Sequence, residues 1–164
     1  MKKLMVLLVV LVSGLGYSQK PTDTIPSTNI NSNLMNQCVI DEVNKERKKL
    51  GLRPLSVSEE LTNLSKKHSE WVVETDRFEH STGNNYAECV NKGGFSNFGA
   101  GETYGGLAIQ IVSSWMESPP HKKILMCSEF VEGGAHIVVL FKPWIAHNNE
   151  KRKCWEYTST IMLK

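Results

Sequence analysis

The chain has 164 residues, four of them cysteine, with 19 Lys and Arg against 17 Asp and Glu and 40% hydrophobic residues. Two of the basic residues, Lys2 and Lys3, and none of the acidic ones fall in the first eighteen positions, so the remainder is balanced at 17 against 17. That balance gives no electrostatic case for nucleic acid or an anionic membrane as partner, and the remaining length, about 146 residues, suits one domain with one core.

Residues 1–18 read as a signal peptide. Lys2 and Lys3 form a basic start, and Leu4 to Val12 is an apolar run too short to span a bilayer. Gly16-Tyr17-Ser18 places small residues three and one before a cut ahead of Gln19, and no Cys near that cut offers a lipid anchor. The mature chain is therefore expected to be secreted or periplasmic, without a stable membrane anchor. Residues 19–32, rich in Pro, Thr and Asn, form a polar linker with nothing to bury. The domain is expected over 33–164.

Met35, Val39, Val43 and Leu50, with Ile40 beside Val43, predict a first amphipathic helix ending at Gly51. Arg53-Pro54-Leu55 crosses to the next element. Ser56-x-x-Glu59 reads as a capping box opening a second helix, with Leu61, Leu64, Ser65, His68, Trp71 and Val72 on its inner face. A lone His on such a face is more often a satisfied core or rim residue than a ligand. After Asp76 the pattern breaks into Phe78-Glu79-His80-Ser81 and a Gly/Asn loop, followed by Tyr86-Ala87-Glu88-Cys89-Val90. Residues 92–101, KGGFSNFGAG, read as a long shaped loop. It leads through a short strand, Gly101-Glu102-Thr103-Tyr104, into the helix that begins the stretch LAIQIVSSWMESPPHKKIL.

Leu107, Ile111, Val112, Trp115 and Met116 recur there at helical spacing. Pro119 and Pro120 lack a backbone donor and clash with a preceding turn, so this helix stops near Glu117. Ser118 followed by Pro119 starts a short second helix, with His121 in its first turn. The positive end of a helix dipole disfavours imidazolium, so His121 is expected to be neutral with a lone pair free. Beyond Cys127 the period becomes that of strands: Gly133 to Phe141 and Cys154 to Leu163 read as antiparallel neighbours across a long polar turn.

The order of these pieces is more specific than any one of them. Val43-Asn44-x-x-Arg47-x-x-x-Gly51-Leu52-x-Pro54-Leu55 precedes Phe78-x-His80-Ser81, then Gly101-Glu102-Thr103, then Trp115-Met116-x-Ser118-Pro119-x-His121 and a Gly-containing strand. The succession resembles the CAP superfamily (cysteine-rich secretory proteins, antigen 5 and plant pathogenesis-related proteins), most closely its exported bacterial branch, over Asn33 to Met162. The resemblance implies an α+β fold, a three-layer α-β-α sandwich with a mainly antiparallel central sheet. It also implies an open cleft to which His80, Glu102 and His121 contribute. Thr103 stands where that family has Asn, and Ser118 where many eukaryotic members carry a second acid. Glu117 is not given that role, and the eukaryotic Cys-rich extension is absent.

Two imidazoles and a carboxylate in one cleft can hold a divalent cation such as Zn2+, with His80 and His121 as its ligands, although no cofactor is required. The resemblance further implies a ligand such as a lipid, sterol or cell-surface component, and the chain is expected to be a monomer. Three classes compete: a non-catalytic binding module, which is favoured, a structural or interaction domain, and a metal-assisted hydrolase. Against the hydrolase, there is no nucleophile elbow and no H-E-x-x-H. Four Cys in an exported chain favour two disulfides, and spacing leaves three connectivities open. If His80 and His121 meet, Cys89 and Cys127 start from one neighbourhood, and domain ends are commonly close. The expected pairs are thus Cys89–Cys127 and Cys38–Cys154.

Overall fold

A computed structural model describes residues 19–20, 30–82, 85–95, 103–145 and 151–164, with the side chains of 95, 141–145 and 151–155 outside that description. The expected signal peptide, most of the expected linker and Glu102 lie outside the described residues. The element order is α1 (Ser32–Lys49), β1 (Ser56–Val57), α2 (Glu59–Thr75), β2 (Ala87–Phe95), α3 (Tyr104–Glu117), α4 (Pro119–Leu125), β3 (Glu132–Ile145) and β4 (Lys151–Leu163). The sheet order is β1-β3-β4-β2, with β1 parallel to β3 and the other pairs antiparallel. This is an α+β fold with a mainly antiparallel sheet. No helix among the described residues is long and apolar enough to cross a membrane.

Successive strand residues point to opposite faces, and the contacts show which helix covers each. A Cβ at Gly133 would meet Ile40 of α1, whereas one at Gly134 would run into the Thr62 and Leu61 backbone of α2. Ala135, Ile137, Tyr157, Ile161 and Leu163 accordingly join α1 and α3 in one apolar cluster with Leu107, Ile111 and Trp115. On the other face, His136 meets Ser69 of α2, and the Ser65 hydroxyl donates to the Gly134 carbonyl. The sheet is thus sandwiched, with α1 and α3 on one side and α2 on the other.

The V-N-x-x-R residues of α1 fasten its neighbours. Asn44 both donates to the Leu55 carbonyl at 2.9 Å and accepts from the Leu55 amide at 2.7 Å. Arg47 is fully buried, and its guanidinium donates to the carbonyls of Arg53, Leu125, Cys127 and Phe130. Four main-chain acceptors take the place of an acid and tie the end of α4 and the segment after it to α1. Gly51, at φ +69, stands in the left-handed region just past the α1 cap, where glycine carries no Cβ penalty.

Several boundaries differ from expectation for identifiable reasons. The second helix is capped by Ser58 rather than Ser56, because Ser56–Val57 extend into the sheet and the Ser56 amide donates to the Val131 carbonyl. Residues Lys92–Phe95, expected in a loop, continue β2 by pairing with Thr158–Trp155. Thr103, expected in a strand, caps α3, its hydroxyl accepting from the Gly106 amide at 3.0 Å. The α3 break falls after Glu117, with Pro119 opening α4. The last two strands pair antiparallel and run further than expected, to Ile145 and from Lys151.

Neither expected disulfide is formed: Cys38, Cys89 and Cys127 are free thiols. Asn36 of α1 accepts from the Ala135 amide, and Ala135 pairs with Ile161, seven residues along β4 from Cys154. That separation is about 23 Å at ~3.3 Å per residue, far beyond the ~7 Å that a disulfide tolerates between Cα atoms, and it keeps Cys38 from Cys154. The Cys89 thiol instead donates to the His121 carbonyl in the first turn of α4 at 3.8 Å. Cys127 lies past the far end of that helix, about 9 Å further along its axis. Burial, and secondarily the Glu88 charge, push the Cys89 thiol up to about 12, so it stays protonated and unreactive.

Candidate functional site

Among the described residues β2 is an edge strand, and two consecutive residues on it grip the two histidine-bearing segments from opposite faces. Glu88 points to the α2 side. Its Oε2 accepts from His80 Nδ1 at 3.0 Å and from the Ser81 amide at 2.9 Å, and its Oε1 accepts from the Ser81 hydroxyl at 2.8 Å. Cys89 points to the other side and holds the backbone of His121. The segments that carry His80 and His121 therefore meet β2 at consecutive residues. His121 is pushed below the ordinary imidazole range, first by burial and then by the charge of His80.

The chemistry of Glu88 sets the state of His80. A carboxylate offers only acceptors, so the proton on the His80 ring sits at Nδ1, facing Oε2. In the neutral ring Nε2 then carries a free lone pair, and the side chain is 64% exposed. Glu88 itself is buried, 8% exposed, with four donors aimed at two oxygens once His68 Nε2, 3.6 Å from Oε1, is counted. It is a buried acid whose partners are all present.

Further contacts hold the residues around this carboxylate. His68 Nε2 also lies 3.0 Å from the Glu79 carbonyl. The His68 ring stacks on Trp71 with centroids 5.7 Å apart, and Arg77 sits over Trp71 while making a two-pronged bond to Glu79. Trp71, Arg77 and Glu79 thus brace the turn that carries His80.

Of the expected site residues, His80 bonds Glu88 through its ring, His121 is held at the neighbouring Cys89 through its main-chain carbonyl, and Glu102 lies outside the described residues. The acid found on His80 is Glu88, which reasoning from the sequence did not select. The signal for it was present: a lone carboxylate in the short run Tyr86-Ala87-Glu88-Cys89-Val90, six to ten residues after His80. His121 is shifted toward the neutral form, first by burial and then by the charge of His80. Two imidazole nitrogens suit a borderline cation such as zinc, but they are half of a tetrahedral set. Among the described residues no group of three or more His, Cys, Asp and Glu side chains is arranged to hold a metal.

The sequence matches the cysteine-rich secretory protein family, CAP, over residues 40–140. Comparison with curated proteins gives no match. Among solved structures, the chain is similar to the CAP domain of Enterococcal PrgA, with TM-score 0.53 and 16% identity, covering 87% of this chain and 67% of that one. It is similar to NaASP2 with Zn2+, with TM-score 0.51 and 11% identity, covering 83% of each chain. It is also similar to an extracellular protein containing a SCP domain from Bacillus anthracis str. Ames, with TM-score 0.50 and 16% identity, covering 81% of this chain but only 41% of that one. At such identities these likenesses speak for the fold alone. The family match spans more than half of the chain and includes His80, Glu88 and His121, and the chain belongs to the cysteine-rich secretory protein (CAP) family.

Proposed function

We propose that this protein is an exported binding module that captures a ligand at the β2 edge through the outward nitrogens of His80 and His121, without covalent chemistry. The observation that supports this reading is the opposed grip of Glu88 and Cys89, which holds the two histidine-bearing segments at one edge, with His80 exposed and its Nε2 without a partner among the described residues. A buried, fully partnered carboxylate spent on orienting a surface histidine is a feature of a site that presents a lone pair. Zinc is the natural probe, because neutral imidazoles bind it well and a protein of the same fold, NaASP2, is described with Zn2+.

Calorimetric titration of zinc into the mature chain is expected to show binding that is lost in His80→Ala and in His121→Ala. It should fade below about pH 6 as protons compete for the imidazoles. Equal zinc affinity in wild type and His121→Ala would retire the shared site. Export is supported by the first eighteen residues and by the extracellular protein among the structural neighbours. Mass analysis of the secreted or periplasmic product should find Gln19 at the N-terminus, and a retained Met1 would overturn that part of the reading.

A further inference from the structure

We propose that His68, on α2, is a positioning residue for the β2-edge site, acting through Glu88 to fix which nitrogen His80 presents. The inference rests on the reading of His80 as the side chain that offers a lone pair there. By sequence His68 is an ordinary inward-facing residue of an amphipathic helix, and packing alone would account for it. The atoms facing its ring require more.

His68 Nε2 has two neighbours within reach, the Glu79 carbonyl at 3.0 Å and Glu88 Oε1 at 3.6 Å. Both are acceptors, so the His68 proton must be on Nε2. That one N–H is aimed at the main chain next to His80 and at the carboxylate bonded to His80. The two rings therefore hold opposite tautomers: His68 donates from Nε2 and His80 donates from Nδ1, with Glu88 between them. Glu88 Oε1 faces His68 and the Ser81 hydroxyl, while Oε2 faces His80 and the Ser81 amide. Oε2 is held by two donors of the same turn, whereas Oε1 meets the Ser81 hydroxyl and, from α2, the approaching His68 Nε2, so among the described contacts the restraint on the carboxylate from outside the turn comes from His68.

The His68 ring is itself confined. It is 8% exposed, stacked on Trp71 at 23° between planes, and Arg77 lies over the Trp71 ring while gripping Glu79. Without the His68 donor, Glu88 keeps only partners on residues 80 and 81, so carboxylate and turn can rotate together. The orientation of His80 against the sheet is then no longer imposed from α2.

The test reads the tautomer of His80 by imidazole nitrogen spectroscopy near pH 8, with thermal melts to confirm folding. Wild type should show His80 as the Nδ1–H form. His68→Gln places an amide nitrogen near the Nε2 position and should keep that form. His68→Leu fills the space without a donor and should shift His80 to the Nε2–H form that free imidazoles favour. If His68→Leu fails to fold, His68→Asn, too short to reach Glu88, carries the same expectation. An unchanged Nδ1–H form in the folded Leu or Asn variant would overturn the proposal. So would a Gln variant that loses it as fully as Leu, since ring packing would then be the cause. None of these readouts needs a ligand: failure of zinc binding in wild type would remove the ligand reading and leave the tautomer result to stand or fall by itself.

Discussion

The two faces of the sheet are built on different principles. Toward α1 and α3 the strands present Ala135, Ile137, Tyr157, Ile161 and Leu163, which merge with Leu107, Ile111 and Trp115 in a continuous apolar cluster. Toward α2 there are apolar contacts as well, among them Leu61, Val72, Val90 and Met162, but they alternate with buried Ser65, His68, Ser69, Glu88, His136 and Thr160. Apolar burial is non-directional, so most of the first face needs only matching volume, with Ser159 and the clamp of Arg47 as its buried polar groups. Buried polar groups need specific partners, so the second face is held to one geometry by hydrogen bonds. The site grows out of that second face, where Glu88 is already committed to a fixed set of donors. A precise surface histidine is easier to build from the layer that is already directional.

The contrast is sharpest at two neighbouring glycines. A Cβ at Gly134 would overlap the Thr62 amide nitrogen and stand 2.5 Å from the Leu61 carbonyl carbon, so α2 would have to lift as a body. A Cβ at Gly133 would stand 3.0 Å from the tips of Ile40 and Leu163, which can rotate. Gly134→Ala is expected to cost about 3 kcal/mol or more, at the upper end of overpacking effects, and Gly133→Ala no more than about 1 kcal/mol. Equal losses by urea denaturation would break the distinction between a backbone-tight face and an adaptable one.

A smaller effect comes from acid. His136 Nδ1 lies 2.8 Å from the Ser69 hydroxyl. Burial pushes this histidine below the ordinary imidazole range, against the attraction of Glu70 and with some help from Lys66. A lowered folded-state value means that the native chain binds fewer protons than the unfolded chain as pH falls below about 6.5. Stability from this group is therefore complete above that pH and is lost as pH falls through the window, and His121, shifted the same way, adds to the loss. Denaturation midpoints from pH 7.5 to 5 should decline more steeply in wild type than in His136→Asn, whose amide can still meet Ser69. A parallel decline would show that the α2 face is not acid-sensitive through His136.

The smallest effect should be a gain. Thr160, beside His136 in the sheet register, is fully buried, and its hydroxyl has no hydrogen-bond partner among the described residues. Thr160→Val keeps the shape and removes the orphaned group, so melting should be unchanged or raised, by about 1 kcal/mol at most. A clear destabilisation would mean that the hydroxyl is satisfied after all, and that the polar layer is more complete than its contacts indicate.

Much of the fold was legible because it rests on local rules. The proline pair after Glu117, the glycine after α1 and the β-branched run from Gly133 each constrain their own backbone, and helix ends and strand character followed from them. The order of short motifs carried the family and the mainly antiparallel sandwich. What misled was also local. Ser56-x-x-Glu59 satisfies a capping pattern, but parallel pairing with β3 claims Ser56, and Ser58 caps the helix instead. The cysteine pairing was inferred from termini and loop starts, which say nothing of the rise along β4 or the length of α4 that separates the thiols.

By itself the sequence determined the four helices, the two last strands, the family and the two histidines worth watching. Only the tertiary structure decided that Glu88 is the acid on His80, that His68 stands behind it, and that Cys89 holds the His121 turn rather than another thiol. The reason is physical. Periodicity and capping act between residues a few positions apart, whereas the side on which Glu88 faces and the group it meets depend on the register of β2 against β4 and on which helix covers that side, neither of which any local stretch of chain encodes.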